Sequence, residues 1–232
     1  MKLKKSMCSI VLLAGVALTG TPGAFADVTV VYKMSSPDGS GMQTIFYTDE
    51  QHVRLDMTGA ANNKTTMMKL GNKVYAITGE VVQDMSQLAK MMASMGMGKK
   101  GENKGENKAQ TSINYEDTGK TETIAGIRGK VYRFVENGRS HEVVLGKNKD
   151  LQDAALGVVE ITKAATGMMS FDTTNGIQED ASLKNMALLR LDDRVLLQSI
   201  NTRAIPAATF KLPSEPQQMG GMGGLMKGVL GK

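Results

Sequence analysis

Hydrophobic and polar residues alternate along most of the chain from residue 27 to residue 78, which is the pattern of β-strands. Val28, Val30, Tyr32 and Met34 fall on one side of the first segment, since successive side chains of a strand point to opposite faces. Four further alternating segments follow, separated by turn residues: 42–47, 52–57, 64–70 and 73–78. Short strands joined by tight turns predict an antiparallel meander.

The spacing of the apolar residues changes at Asp84 from two to three or four. The apolar positions that follow at helical spacing are Met85, Leu88, Met91, Met92 and Met95. This spacing predicts an amphipathic helix over residues 84–97 with Asp84 capping its first turn. The charged, glycine-interrupted residues 98–110 are predicted to form a flexible linker.

Strand patterns resume at residues 112–117 and continue through 122–136. Asn137-Gly138 is a strong hairpin signal, because both residues accept a positive φ. A second amphipathic helix is predicted over 150–169, with its apolar or small positions at Leu151, Ala155, Val158, Thr162, Ala165 and Met169. Three more strands are predicted at 186–191, 194–203 and 208–213. Ten or eleven strands and two helices indicate an α+β fold, a large curved antiparallel sheet with helices on one face.

The two ends of the chain differ from the part between them. Residues 1–26 combine early lysines, an apolar segment from Ile10 to Leu18 and Ala24-Phe25-Ala26, the pattern of a cleaved secretory signal. We expect cleavage after Ala26 and a periplasmic or secreted protein with a single domain over 27–213. The glycine- and methionine-rich residues 214–232 are predicted to be a disordered tail.

Composition excludes several chemistries once residues 1–26 are set aside. Cys8 is the only cysteine, so the remaining chain has no disulfide, thiolate metal site or cysteine nucleophile. Removing three lysines lowers the formal net charge from +5 to +2, that is, 25 basic against 23 acidic residues. No sustained basic stretch carries base-stacking aromatic residues, so we expect no nucleic-acid partner. The mature chain contains no predicted transmembrane segment.

Two segments, YEDTGKTETIAGIRGKVYRF (115–134) and ALLRLDDRVLLQSINTRAIPAATFKLPSEPQ (187–217), resemble a bacterial domain-of-unknown-function family. That family is similar to the LolA-like superfamily of periplasmic lipoprotein carriers. The resemblance implies a strongly bent antiparallel sheet, a half-open barrel, with helices covering its concave face. It also implies an apolar cavity between sheet and helices that accepts acyl chains. Its matching motifs are structural, so no catalytic residue is implied.

The two predicted helix faces can be interpreted in more than one way. They can simply pack on the sheet as core, as amphipathic stripes usually do, or they can form the wall of a ligand cavity. Methionine is flexible and polarizable, so such a wall adapts to acyl chains. The candidate cavity wall is Met85, Leu88, Met91, Met92, Met95, Leu151, Val158 and Met169. A copper(I) site formed by thioethers, with Met219, Met222 and Met226 as the better candidates, is a further alternative.

No catalytic signature accompanies these features. His52 and His141 are the only histidines, and as isolated strand residues they are predicted to be solvated. No nucleophile elbow or phosphate-binding loop is present in the sequence. We therefore expect a non-enzymatic protein without a cofactor or metal, which binds a lipid or lipoprotein acyl chain. The alternative is an envelope sensor or protein-interaction module whose cavity is filled by its own side chains.

Overall fold

Eleven strands form one continuous antiparallel sheet in the computed structural model, which describes residues 27–37, 39–59, 63–85, 113–166, 183 and 185–217. The strands are β1 Val28–Ser36, β2 Gly39–Asp49, β3 His52–Thr58, β4 Lys64–Leu70, β5 Lys73–Thr78, β6 Val81–Asp84, β7 Glu116–Ile124, β8 Ile127–Glu136, β9 Arg139–Gly146, β10 Ala187–Leu191 and β11 Val195–Asn201. One helix, α1, spans Lys149–Thr166, and a 3₁₀ helix spans Ala207–Phe210.

The strand order is β6-β5-β4-β3-β2-β1-β11-β10-β9-β8-β7. Two meanders, β1–β6 and β7–β11, therefore meet where β1 pairs with β11, and the sheet stays open because β6 and β7 lie at opposite edges. This confirms the predicted α+β class with an open antiparallel sheet of eleven strands. Among the described residues, however, a single helix rather than two covers the sheet.

The main hydrophobic core lies on the face of the sheet that contacts α1. Alternate residues of β1 to β3 enter it, as the sequence pattern predicts: Val28, Val30, Tyr32, Ile45, Tyr47, Val53 and Leu55 are all buried. Burying this apolar area stabilises the fold at about 25 cal/mol per Å² removed from water.

Helix α1 begins with a side-chain cap and presents one apolar stripe to the sheet. Asn148 Oδ1 accepts a hydrogen bond from the Leu151 amide at 2.8 Å, which satisfies one of the free amides of the first turn. Leu151, Ala154 and Ile161 follow at spacings of three and seven residues and are at most 1% exposed. This is the helix predicted over residues 150–169, and its described end is Thr166.

The opposite face of β4–β6 carries a smaller cluster of Met68, Tyr75, Ile77 and Val82. The segment 202–217 crosses this part of the sheet, and we call it the C-terminal strap. Leu212 of the strap packs against the cluster. Its Ser214 Oγ donates to the Glu80 carbonyl at 2.6 Å, and the Gln217 amide donates to the Val82 carbonyl at 2.8 Å.

Three sequence expectations require correction. Residues 81–84 were not expected to form a strand but form β6, whose last residue Asp84 pairs with Tyr75; the next residue, Met85, is helical, which agrees with the predicted start of the helix. Residues 208–213 were expected to form a strand. They contain the end of the 3₁₀ helix and then an extended segment that is not part of the sheet. Residues 214–217, counted with the predicted tail, are held against β6.

Candidate apolar binding surface

Only three of the eight predicted cavity-wall residues lie in the described part of the chain. Leu151 is 1% exposed and belongs to the core, while Val158 and Met85 are partly buried and pack against the same cluster. The other five, Leu88, Met91, Met92, Met95 and Met169, lie outside the described residues, as do residues 86–97 of the first predicted helix and the tail methionines.

The middle of α1 is in direct contact with the sheet, and no space is left between them at Gly157. A Cβ atom placed on Gly157 would lie 2.8 Å from Cδ2 of Tyr47 and 3.0 Å from Cγ1 of Val53. These separations are shorter than ordinary van der Waals contacts, so glycine permits the approach of helix and sheet here. No apolar ligand fits between α1 and the sheet at Gly157.

Four methionines that pack against the main core cluster remain partly accessible to solvent. They are Met34 on β1, Met57 on β3, Met67 on β4 and Met85 directly after β6. We call this set the methionine surface. Leu55 pairs with Met67, and Met57 lies two residues further along β3, so Met57 and Met67 are diagonal neighbours on one face.

Uncharged residues surround the two central methionines of this surface. Met57 pairs with Gln43 on one side and Thr65 on the other. Met67 pairs with Leu55 and Ala76. An apolar ligand placed here would therefore meet no charged group in the paired positions, and it would not have to desolvate one.

The sequence predicts only part of the methionine surface. Met34 and Met57 were recognised as members of strand faces, but strand pairing is what brings Met57 and Met67 beside each other. A signal was nevertheless present, since methionine occupies apolar positions in several successive strands where valine or isoleucine is more usual.

The two histidines lie on different strands and differ in exposure. The side chain of His52 is 45% exposed and contacts Asp49 through Nδ1 at 3.0 Å. The side chain of His141 is only 15% exposed, which corrects the expectation that it is solvated. Its Nδ1 lies 2.7 Å from Asp192 Oδ2, and its ring packs on Phe134 with 5.2 Å between centroids.

Asp192 organises the surroundings of His141. Its Oδ1 accepts a hydrogen bond from the Glu142 amide at 2.8 Å, and its Oδ2 also contacts Arg194 at 3.1 Å. Partial burial alone would raise the pKa of Asp192, but the Glu142 amide, His141 and Arg194 hold that pKa below its ordinary value. Each histidine thus contacts one carboxylate and one phenylalanine ring, and His141 also contacts Arg194.

A separate cleft of about 450 Å³ lies between the β2–β3 hairpin and the C-terminal strap. Its lining residues are Asp27, Thr48, Asp49, His52, Leu70, Ile205, Ala207 and Phe210. The Ile205 amide donates to Asp27 Oδ2 at 2.6 Å, and His52 packs edge-on against Phe210. Asp27, Asp49 and His52 at its rim each have a hydrogen-bond partner within the chain, and the cleft lies where the strap meets the sheet.

Within the part of the chain that the structure describes, no three histidine, cysteine, aspartate or glutamate residues are placed to hold a metal ion. Across the same residues, no helix combines the length and apolar character needed to cross a bilayer.

Comparison with known proteins gives a likeness to solved structures only. No protein-family model matches this chain, and no curated protein matches it. Among solved structures, a LolA superfamily protein from Nitrosomonas europaea is similar to it. The two share 10% sequence identity over 80% of this chain and 89% of that one, with a TM-score of 0.27.

Proposed function

We propose that the protein is a non-catalytic, exported binder of an apolar ligand, with the acyl chain of a lipid or lipoprotein as the ligand class. The observation that supports this function is the methionine surface, where four partly accessible methionines extend the main core next to uncharged neighbours. The acyl chain is the ligand implied by the sequence resemblance to LolA-like carriers. The ligand lies beside α1 rather than beneath it, since Gly157 contacts the sheet directly.

The energetics of such a site need no catalytic group. Burial of one methylene is worth about 0.8 kcal/mol, so about ten methylenes contribute roughly 8 kcal/mol before the costs of association. Association costs of about 4 kcal/mol leave about 4 kcal/mol, a millimolar dissociation constant, so micromolar binding requires burial of about fifteen methylenes. Affinity between these limits suits a carrier that must release its cargo. Unbranched thioether side chains can adjust to acyl chains of different shape.

The test uses the mature full-length chain, residues 27–232, and a fluorescent fatty-acid probe. Replacing both Met57 and Met67 with glutamine keeps side-chain length while adding polar groups to the surface. We expect this double variant to bind the probe about tenfold more weakly, equivalent to about 1.4 kcal/mol. Met42→Gln is the matched control, because Met42 lies on β2 with its side chain on the opposite face and is 41% exposed.

Two results would contradict the function. The first is a wild-type protein that ignores the probe and also yields no bound lipid when it is extracted from its native envelope and examined by mass spectrometry. The second is equal loss of probe binding in the Met42→Gln control and the double variant. Thermal unfolding of all three proteins separates a loss of binding from a loss of folding.

A second candidate function, a protein-interaction module of the envelope, is favoured by the close packing at Gly157. In that case side chains of the protein fill the whole space under its helices, and the methionine surface binds another protein. The discriminating result is a specific envelope protein that is cross-linked by the wild type and the Met42→Gln control but not by the Met57→Gln, Met67→Gln variant. Under this function the fatty-acid probe binds none of the three.

A further inference from the structure

The C-terminal strap delivers the chain to the sheet edge nearest Met85. Gln217 forms a parallel bridge with Gln83 of β6, and its amide donates to the Val82 carbonyl at 2.8 Å. Because the bridge is parallel, the strap arrives at Gln217 running in the same direction as β6. Strand β6 ends at Asp84, and the next residue is Met85 of the methionine surface.

Fifteen residues follow Gln217, and their composition is unusual. Six are glycine and none is acidic. The apolar members are Met219, Met222, Leu225, Met226, Val229 and Leu230. The segment thus offers methionine, leucine and valine side chains on a backbone that glycine allows to follow an irregular surface.

The length of this segment is sufficient to cross the methionine surface. Fifteen residues span at most about 50 Å when extended. Neighbouring strands lie about 4.8 Å apart, so Met67 on β4 and Met57 on β3 are roughly 10 and 14 Å from the β6 edge. The strap lies on the face opposite the methionine surface, so the segment has to pass around the β6 edge to reach it. Leu225 follows Gln217 by eight residues, about 26 Å when extended, and this length is sufficient for that path to either methionine.

We propose that residues 218–232 bind the methionine surface of their own chain and that an apolar ligand displaces them. This inference rests on the proposed function, in which the methionine surface is the ligand site. A tethered segment acts at an effective concentration of about 1 mM, so an intrinsic dissociation constant of about 0.1 mM is enough to occupy the surface. Ordering six glycines carries a large entropic cost, which keeps the segment weak and displaceable.

The contact itself is tested by a disulfide trap, because the mature chain contains no cysteine. The full mature chain carries Met57→Cys together with Leu225→Cys. The matched control carries Thr58→Cys with Leu225→Cys, since Thr58 is the next residue of β3 and its side chain points to the other face. We expect intramolecular oxidation in the first protein to exceed that in the control at least fivefold and to fall when the fatty-acid probe is added.

Three outcomes of the trap would overturn the inference. Equal oxidation of the two proteins means that the segment samples both faces without binding. Cross-linking between two chains, seen as a dimer on a non-reducing gel, means that a second copy occupies the surface. Little oxidation in either protein means that another part of the chain, such as the helix predicted over 84–97, covers it.

Ligand competition gives an independent measurement on the full chain. Replacing Leu225, Met226, Val229 and Leu230 with serine should tighten probe binding about tenfold, because the competing segment is lost. The control replaces three tail positions outside the apolar set, Gln218, Lys227 and Lys232, with serine and should leave probe affinity unchanged. Unchanged or weaker binding in the first variant overturns the inference while leaving the proposed function intact. Failure of every protein to bind the probe overturns the proposed function, and the trap then still decides whether the segment docks.

Discussion

Gly157 is a residue at which α1 packs directly against the sheet. Any side chain there must displace the Tyr47 ring or Val53, and both of these residues are buried in the core. The absence of a Cβ atom thus sets the distance between helix and sheet. It also determines that the accessible apolar surface lies beside the helix.

Replacing Gly157 with valine should lower the free energy of unfolding by about 3 kcal/mol. Steric overlap in a packed core costs roughly 1–3 kcal/mol, and the branched valine side chain increases the overlap. This cost exceeds the gain in helix propensity when glycine is replaced. Urea denaturation followed by circular dichroism measures the change. The neighbouring Leu156→Ala substitution is the control, because Leu156 is 50% exposed and should change stability by less than about 1 kcal/mol. Equal effects of the two substitutions would contradict this account.

Asp56 is a second decisive residue, since it is a mostly buried carboxylate surrounded by donors. Arg54 Nε lies 2.7 Å from its Oδ1, Lys64 Nζ lies 2.9 Å from its Oδ2, and Thr66 donates to Oδ1 at 2.7 Å. Burial alone would raise the pKa of Asp56, but hydrogen bonds from Arg54, Thr66 and Lys64 hold that pKa below its ordinary value of 3.8.

This arrangement predicts a pH-dependent contribution to stability. A carboxylate whose pKa is lower in the folded than in the unfolded state stabilises the fold above the unfolded pKa, and that stability is lost as the pH falls through the folded pKa. Asp56→Asn should therefore cost about 2 kcal/mol at pH 7, and the difference from wild type should shrink below about pH 4. Denaturant titrations between pH 2.5 and 7 measure it. Asp117→Asn, which removes an exposed pair with Lys130, should have the smaller effect.

At the scale of elements, the C-terminal strap is the feature that most alters the expected fold. It reaches β3 through a hydrogen bond from Arg54 Nη1 to the Thr209 carbonyl at 2.6 Å and through Phe210 against His52. It then covers the small cluster on β4–β6 with Leu212. Strand β6 pairs with a single strand, β5, so the strap supplies additional contacts at the edge where the methionine surface ends.

Loss of the strap contact should loosen the β6 edge before the rest of the sheet. Leu212→Ala removes apolar packing and is expected to cost about 1–2 kcal/mol. Native-state hydrogen exchange should show faster exchange in β5 and β6, with little change in β8 and β9. Glu215→Ala, at an exposed strap position, is the control. Uniform acceleration of exchange across the sheet would mean that the strap supports the whole fold and has no local role.

At the scale of the whole molecule, β1 is the strand that joins the two meanders. It pairs with β2 and with β11, and the Tyr32 hydroxyl donates to the Leu188 carbonyl at 2.8 Å. These contacts connect residues more than 150 positions apart in the sequence. Helix α1 adds to this connection, because it follows β9 of the second meander and packs on strands of the first.

A shared core of this kind predicts one cooperative unfolding transition. The chain contains no tryptophan, so single tryptophans can report on each half: Met42→Trp on β2 and Val135→Trp at the 64% exposed position of β8. The two fluorescence transitions in urea should coincide with each other and with circular dichroism. Separate midpoints would show two independently folding units and would contradict a single domain over residues 27–213.

The sequence by itself determined the features that depend on neighbouring residues. The period-two pattern assigned Val28, Val30 and Tyr32 to the buried face, because side-chain direction in a strand is a local property. Asn137-Gly138 marked the β8–β9 hairpin, where both residues have positive φ, because turn geometry is also local. The spacing of Leu151 and Val158 predicted α1, because the residues on one face of a helix are also set by their local spacing.

Only the tertiary structure decided which distant segments meet. The pairing of β1 with β11, the strap across β4–β6 and the contact of Gly157 with Tyr47 all join residues far apart in the chain. Such contacts are selected by packing of the complete chain, and no short window of sequence carries them. Of the four methionines in the candidate site, the sequence assigned only Met85 to a ligand-binding wall. Met57 and Met67 become neighbours in that site only through the pairing of β3 with β4.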